Sequence, residues 1–496
     1  RYLRHQGTKL AGQFDANSYV TLTRAMDSHD VGRGRGSYEQ ALRSVRQPAL
    51  VVAIDSDVLY PPEEQREMAA GLENARLGWL RSPHGHDAFL IETEALNRLL
   101  VDFRTGLDRP RHSGPILLPA RPAQARVTVR VVVAGATGRV GSRLCEQLGR
   151  LEDGGPGSRL RLVGALNRRR LVRNDAGLDP LNVPAILETG APSDWESLDE
   201  LLGSEGEEPL VFVDCTASPA VAERYPLLLA AGIGVVTPNK LAGSGTFERW
   251  RLLRELCLSR GAPWRYETTV GAALPVLGPL ADLRRAGDRL LSLTAILSGS
   301  LSFVLHRVNE GTPFSTAVAE AHLRGFTEPH PREDLSGEDV ARKLLILLRE
   351  SGFSVEREEV IVEPMISGDL REEAEPERFL AGLVRFDAAW AGRAAEARAR
   401  GERLFHVARF DSGGTGPRVG VASLPTDHPV VRAGAGEAVV VIHTNRYSGL
   451  PLTLSGPGAG PEITATGVLI DLLGAAEELR RRAADARAAG GGCRPF

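Results

Sequence analysis

Short apolar runs alternate along the chain with stretches whose apolar positions return every three or four residues, the strand and amphipathic-helix signatures. Strands are predicted over 129–134, 160–166, 210–214, 233–237 and 263–269, with helices over 139–148, a stretch ending at Ala231, and 247–260. This rhythm predicts a Rossmann-like doubly wound parallel sheet. Ahead of it, an apolar run over 48–54 ends in Asp55-Ser56-Asp57, a helix follows over 63–72, and a second strand ends near Ser82, giving a β-α-β fragment. Beyond Pro275 the order changes to mixed strands and long helices, including 339–350, which predicts an α+β domain. A helix over 462–479 starts after a Gly/Pro turn, and its apolar stripe needs a partner, for which the sheet domain is the candidate. The segments 374–400 and 483–492 are biased in composition and read as exposed helix or tail. There is no internal repeat.

The sharpest break is a Pro- and Arg-rich stretch without periodicity, read as an interdomain linker over 108–127. The predicted domains are therefore 1–107, 128–270 completed by a C-terminal helix over 460–480, and 271–459, with a tail over 481–496. A length of 496 residues and 42% hydrophobic content fit two to four folded domains and exclude whole-chain disorder. Lys plus Arg number 60 against 63 acidic residues, so there is no basic field to hold nucleic acid. Cys145, Cys215, Cys257 and Cys493 show no metal-ligand spacing and point to a reducing compartment, the cytoplasm. No apolar run is long enough for a membrane span and the first residues are not those of a signal peptide. The missing initial Met predicts a true N-terminus upstream.

Gly135-Ala136-Thr137-Gly138-Arg139-Val140-Gly141 lies where a predicted strand meets a helix. Glycines there let backbone N–H groups approach a pyrophosphate that the helix dipole favours; a tight structural turn is the alternative. The next strand ends Asn167-Arg168-Arg169-Arg170, where a carboxylate for the ribose of NAD is absent and guanidinium groups suit a 2′-phosphate. NADP(H) is thus favoured over NAD(H), with a solvated loop as the other reading of the arginines. Further polar groups gather at strand ends: Asp214 to Ser218, Thr237 to Lys240, and Tyr266 to Gly271. Asp339 and Lys343 stand four apart on one predicted helix, an ion pair either at a site or on the surface. Lys343 has Val340, Ile346 and Leu347 as helical neighbours, so its ammonium is expected to be partly desolvated, lowered in pKa and suited to proton transfer.

From about residue 130 to 479 the chain resembles homoserine dehydrogenase, especially the form fused to aspartokinase, through DCTAS, VVTPNK, TTVGAALP, ILSGSLSFV, TEPHPREDLSGEDVARKLLIL and GPGAGPEITATGVLIDLL. The resemblance implies NADP-linked interconversion of L-aspartate 4-semialdehyde and L-homoserine, on the way to threonine and methionine, in a homodimer whose second domain supplies the substrate site and dimer interface. It implies that Glu328 and Asp339 hold the amino-acid end of the substrate and that Asp334 orients the lysines. Lys343 would be the main proton-transfer group, and Lys240 would lie beside substrate and nicotinamide. Gly135, Thr137, Gly138, Arg139, Val140, Gly141, Asn167, Arg168, Thr216, Ala217, Ser218 and Lys240 would line the cofactor site. It also implies a monovalent cation, Na⁺ or K⁺, held by Glu267, Val270, Ala272 and Leu274, mostly through carbonyls. Two departures stand out: Ala273 replaces the last glycine of the family's VGAGLP, and the GATGRVG loop is similar to that of dihydrodipicolinate reductase. No segment long enough for a small regulatory domain follows Leu479, so feedback control by threonine through one is not expected.

The first 105 or so residues carry an acid after one strand, Asp57, and a histidine after the next, His86, the last two members of an α/β-hydrolase triad, with no GxSxG elbow ahead of them. Together with Tyr2 to Gly7, Phe14 to Tyr19 and Thr23 to Asp27, these words resemble the C-terminal part of homoserine O-acetyltransferase. That resemblance implies a partial α/β-hydrolase domain in which Asp57 orients His86 as general base and Asp87 contacts homoserine. Without a serine, acetyl transfer is not expected. The alternatives are a bifunctional homoserine O-acetyltransferase and dehydrogenase, if an upstream segment carries the serine, and a non-catalytic module that binds NADP or homoserine and regulates a partner. The expected partner is a small-molecule substrate, without nucleic acid or membrane.

Overall fold

A computed structural model describes residues 20–21, 24–25, 28–107, 127–151, 160–203, 208–414, 416–432, 434 and 436–490. The chain divides into two compact units, 1–118 and 119–496. Most of the predicted linker, the residues 491–496 with Cys493, and the words before Val20 lie outside the described residues.

In the first unit, β1 (Ala49–Ile54) and β2 (Ala75–Leu80) pair in parallel through the crossing helix α1 (Pro62–Gly71). A small core of Ile54, Leu80 and Ala88 lies beneath them. Asp57 follows β1, and His86 and Asp87 lie on the single turn Gly85–Asp87 after β2.

The second unit holds two sheets. The first is built from β3 (Val129–Ala134), β4 (Leu160–Leu166), β5 (Arg170–Arg173), β6 (Ala191–Pro192), β7 (Leu210–Asp214), β8 (Gly234–Val236) and β9 (Trp264–Arg265), in the order β6-β5-β4-β3-β7-β8-β9. Side chains of β3 alternate between two cores: Val131 and Val133 pack with Leu144 of α2 (Arg139–Gly149), and Val132 and Ala134 belong with Leu253 of α3 (Phe247–Arg260). Helices thus cover both faces of a sheet that reverses its order at β3. Thr246 caps α3 by accepting the Arg249 N–H, and Gly261, at φ 70°, ends it.

This sheet departs from the wholly parallel expectation. The turn at 167–169 folds β5 back antiparallel onto β4, because the Asn167 side chain accepts the N–H groups of Arg169 and Arg170 and closes a hairpin. The strand expected over 263–269 stops at Arg265, and a single 3₁₀ turn, Glu267–Thr269, follows.

The second sheet comprises β10 (Leu290–Ile296), β11 (Ile361–Val362), β12 (Glu402–Asp411), β13 (Arg418–Pro425), β14 (Glu437–Thr444) and β15 (Leu452–Pro457), antiparallel except where β11 joins β13. Helices α4 (Gly299–Asn309) and α5 (Glu338–Glu350) share its core through Leu301, Leu344 and Leu348. Gly337, at φ 77°, separates a four-residue turn, Arg332–Leu335, from α5, which matches the helix expected over 339–350 to within one residue. The biased segment 374–400 takes the helical one of its two expected forms and is largely exposed, with one face buried. It forms helices whose Phe379, Leu383, Trp390, Ala394 and Ala397 are buried, the alanines giving a flat face for close packing.

The last helix, α6 (Pro461–Gly490), returns to the first sheet, and Ala465, Val468, Leu472, Ala475, Ala476 and Leu479 complete the core under β3 and α2. It runs on to Gly490, so most of the expected tail over 481–496 is helix, as its alanines and arginines favour.

Candidate active site

The glycine loop joins β3 to α2 with little room to spare. Gly135 sits at φ 75°, and a Cβ there would stand 2.9 Å from the Cys215 carbonyl oxygen; one on Gly141 would stand 2.1 Å from the Gly135 carbonyl oxygen. Gly138 begins α2 with no side-chain cap, so the first-turn N–H groups beside Arg139, Val140 and Gly141 lack a capping partner. Such a helix start, between two tightly turned strand ends, fits a pyrophosphate. Thr137 and Arg139 are exposed, and Arg168 and Arg169 are exposed at the tip of the β4–β5 turn, whereas Arg170 is committed to the Gly190 carbonyl at 3.0 Å. Asn167 supports that turn with its side chain.

The loop after β7 abuts this one. The Cys215 N–H donates to the Ala134 carbonyl at 2.9 Å, the Thr216 hydroxyl accepts the Ser218 N–H at 3.1 Å, and Ser218 caps the short helix Pro219–Ala222, with Ala217 between them. Asn239 then ties the loop after β8 to the Ser218 carbonyl at 3.2 Å, which places Lys240 next in line.

Lys240 and Lys343 come from different lobes and meet on one carboxylate. The Lys240 ammonium is 3.3 Å from Asp339 Oδ1, and the Lys343 ammonium is 2.7 Å from Asp339 Oδ2 and donates to the Leu297 carbonyl at 2.7 Å. The Lys343 side chain is only 12% exposed, which sets this pair apart from a solvated surface ion pair. Partial desolvation pushes the Asp339 carboxyl up, but the two ammonium groups outweigh it and hold it well below the usual carboxylate range.

Asp334, expected to orient the lysines, makes its hydrogen bonds to other groups among the described residues. Its oxygens accept the Ser300 hydroxyl at 2.6 Å and the Glu328 N–H at 2.8 Å, so it braces the loop carrying Glu328; Asp339 is the carboxylate that takes both ammonium groups. Burial raises the Asp334 carboxyl above its ordinary value. Glu328 itself is exposed. His330 and Arg332 anchor the same loop by both donating to the Glu373 carbonyl, at 3.0 and 2.6 Å. Sequence reasoning gave no part to Leu297, Ser300 or Glu373. A serine pair between a strand end and a helix start, Ser298 and Ser300, was the available signal for the second; backbone carbonyls leave none.

The side chain of Glu267 is already engaged. Its carboxylate accepts the N–H groups of Val276, Leu277 and Gly278 at 2.6, 2.5 and 2.8 Å, capping the helix Leu277–Arg285, while its own N–H donates to Asp471 of α6 at 3.0 Å. Burial raises both carboxyls, that of Asp471 to about 7. Among the described residues Ala272, at φ 56°, is the one non-glycine with a positive φ, so the backbone turns at Gly271 and Ala272, before Val270-Gly271-Ala272-Ala273-Leu274 has run its course. Ala273, the departure from the family's glycine, is not in the left-handed region. Among the described residues no cluster of three or more His, Cys, Asp or Glu side chains forms a metal site.

In the first unit, His86 Nδ1 lies 2.8 Å from Asp57 Oδ2, and Asp57 also accepts the N–H groups of Leu59 and Tyr60. Among the described residues no serine or cysteine hydrogen-bonds to His86.

Residues 137–267 match the NAD-binding domain of homoserine dehydrogenase, and residues 275–473 match homoserine dehydrogenase itself, together about two thirds of the chain. The chain belongs to the homoserine dehydrogenase family. Its relatives include bifunctional aspartokinase/homoserine dehydrogenase 2 of Zea mays chloroplasts, 37% identical over 316 residues, covering 63% of this chain and 34% of that one. Bifunctional aspartokinase/homoserine dehydrogenase 2 of Escherichia coli is 34% identical over 339 residues, covering 68% and 42%. The chain therefore spans about a third to two fifths of the length of these curated relatives. Among solved structures, a Candida auris protein of unknown function is 32% identical with a TM-score of 0.65, covering 71% of this chain and 99% of that one. A hyperthermophilic archaeal homoserine dehydrogenase solved with NADPH, 24% identical with a TM-score of 0.55 and covering 71% and 98%, shares the fold. Homoserine dehydrogenase thus accounts for both lobes that meet at Asp339, a nicotinamide-nucleotide domain bearing Lys240 and a second lobe bearing Lys343.

Proposed function

We propose that the chain is an NADP-dependent homoserine dehydrogenase interconverting L-aspartate 4-semialdehyde and L-homoserine. The observation that carries this reading is the pair of ammonium groups from two lobes converging on Asp339, in a chain whose glycine-loop helix starts without a side-chain cap. A bound reduced nicotinamide would supply hydride to the aldehyde carbon. Lys343, fixed by Asp339 and the Leu297 carbonyl, is placed to give a proton to the oxygen that gains charge, which lowers the barrier because that charge exists mainly in the transition state. Lys240 adds a second positive charge on the cofactor side. Glu328 and Asp339 are the candidates for holding the substrate ammonium. Thr216, Ala217 and Ser218 flank the dinucleotide, and Arg168, with Arg169 beside it, suits a 2′-phosphate.

The same reading includes a homodimer through the second lobe, a monovalent cation bound by the carbonyls of Val270, Ala272 and Leu274, and work in the cytoplasm. Support for the last is that Cys145, Cys215 and Cys257 are free thiols. Because the Glu267 carboxylate is taken by three N–H groups, only its backbone is offered to the cation.

The test is NADPH absorbance loss on adding the semialdehyde. Lys343→Ala should lower kcat by on the order of a hundredfold or more while NADPH affinity holds, the range for a positioned proton donor. Equal turnover in that variant removes Lys343 from the mechanism.

A second reading rests on the Asp57–His86 contact: the first unit is the acid and base part of an acetyltransferase, with Asp87 near homoserine. With acetyl-CoA and homoserine this chain is expected to be inactive, and turnover would show that it carries its own nucleophile.

A further inference from the structure

Two loops leave the cofactor side of the first sheet, one after β7 and one after β8, and a single carboxylate lies under both. Asp214 ends β7 with no exposed surface. Uncharged donors take its oxygens: the Thr216 N–H reaches Oδ1 at 2.7 Å, and the Tyr225 hydroxyl and Asn239 amide reach Oδ2 at 2.6 and 3.1 Å. The Tyr225 hydroxyl is also 3.0 Å from the Thr237 hydroxyl, which donates to the Asp214 carbonyl at 2.8 Å and accepts the Asn239 N–H at 2.8 Å. The other end of Asn239 is used too, its amide nitrogen on the Ser218 carbonyl at 3.2 Å and its oxygen on the Leu241 N–H at 3.1 Å.

A buried carboxylate without a cation is costly, and an apolar side chain would fill a strand end at less expense. Burial does push the Asp214 carboxyl up, against the pull of its donors. What the carboxylate supplies is a fixed acceptor on which two loops from different strands agree. Residue 240 comes directly after Asn239, and its ammonium must cross to the other lobe to stand 3.3 Å from Asp339.

We infer that Asp214 is a positioning residue for the reaction: it latches Thr216 and Ser218 to Asn239, and so sets where the Lys240 ammonium stands relative to Asp339 and the nicotinamide side of the cleft. The inference rests on the dehydrogenase reading above. In Asp214→Asn the new amide nitrogen confronts two donors, the Tyr225 hydroxyl and the Asn239 amide, while the Thr216 N–H keeps its acceptor. The variant should therefore lose kcat by on the order of tenfold to a hundredfold, as small misplacements of a reacting group do, with the Kd for NADPH read by fluorescence nearly unchanged.

A further readout separates positioning from general damage. In a Lys240→Ala background, adding Asp214→Asn should cost little more, because the group it positions has gone. Tyr225→Phe removes one donor and leaves the carboxylate, so the same cycle can be run on it if Asp214→Asn does not fold. An equally active Asp214→Asn, or the same fold loss with and without Lys240, overturns the inference. Failure of the dehydrogenase reading shows earlier, as a wild-type chain that binds NADPH yet does not oxidise it with the semialdehyde, and takes this inference with it.

Discussion

His406 is a buried histidine on β12 whose two ring nitrogens find no hydrogen-bond partner among the described residues, and its Nε2 stands 3.5 Å from where a Cβ on Gly337 would be. Burial alone pushes its pKa down, from the ordinary 6.5 to about 4. The unfolded chain therefore takes up this proton first as pH falls, so stability drops between about pH 6.5 and 4 and levels off below. The loss is roughly 3 kcal/mol in full. His406→Leu keeps the bulk and removes the titration. Urea midpoints should fall less between pH 7 and 5 in the variant than in the wild type, and parallel curves would show that the ring is solvated. At this scale the sequence was partly legible. Asp339 and Lys343 announced themselves by spacing, whereas the bridge from Lys240 joins residues about a hundred positions apart and needs the fold. The hydrogen bonds of Asp334 were hidden for the same reason: its partner Ser300 lies on another element.

Helix α5 carries both Asp339 and Lys343, and its first turn is set by Gly337. With φ at 77° and a would-be Cβ 3.0 Å from Val362 Cγ1, an alanine there must both adopt the left-handed region and crowd the Val362 side chain of β11. Gly337→Ala should cost roughly 1–2 kcal/mol from backbone strain alone, and kcat should fall more than thermal stability suggests, because the tilt of α5 moves Lys343 off the Leu297 carbonyl. Paired melting and steady-state measurements check this, and unchanged kcat would show that the helix tolerates the shift. Elements were more legible than their ends. Strand cores of Val and Leu and the period of α5 stood out in the sequence. The start of α5 was read to within one residue, whereas the stop of β9 at Arg265 did not stand out, since it precedes a carboxylate that caps a later helix.

At the scale of the whole molecule, the nucleotide lobe is not a continuous piece of chain. Val468, Leu472 and Leu479 of α6 are almost wholly buried under β3, and at about 1.5–3 kcal/mol for each such side chain their loss is comparable with the entire stability of an ordinary domain. A chain ending at residue 460 should therefore lose NADPH binding and cooperative melting; a truncation that still binds NADPH at wild-type affinity would show the sheet to be self-sufficient. The return of this helix was foreseeable from its apolar stripe. Its continuation to Gly490 and the buried face of 374–400 were not, because alanine-rich stretches look alike whether they face water or pack closely.

That closure has an implication for biosynthesis. A ribosome translates β3 through β9 long before it reaches the codons for Val468 and Leu479, and nearly two hundred residues of the other lobe intervene. During that interval the part of one sheet face that α6 covers, beside α2, stays exposed, the kind of surface on which nascent chains aggregate. Nucleotide capture thus waits until α6 has emerged, and a message truncated ahead of its codons yields an unclosed lobe for chaperones and proteases to sort.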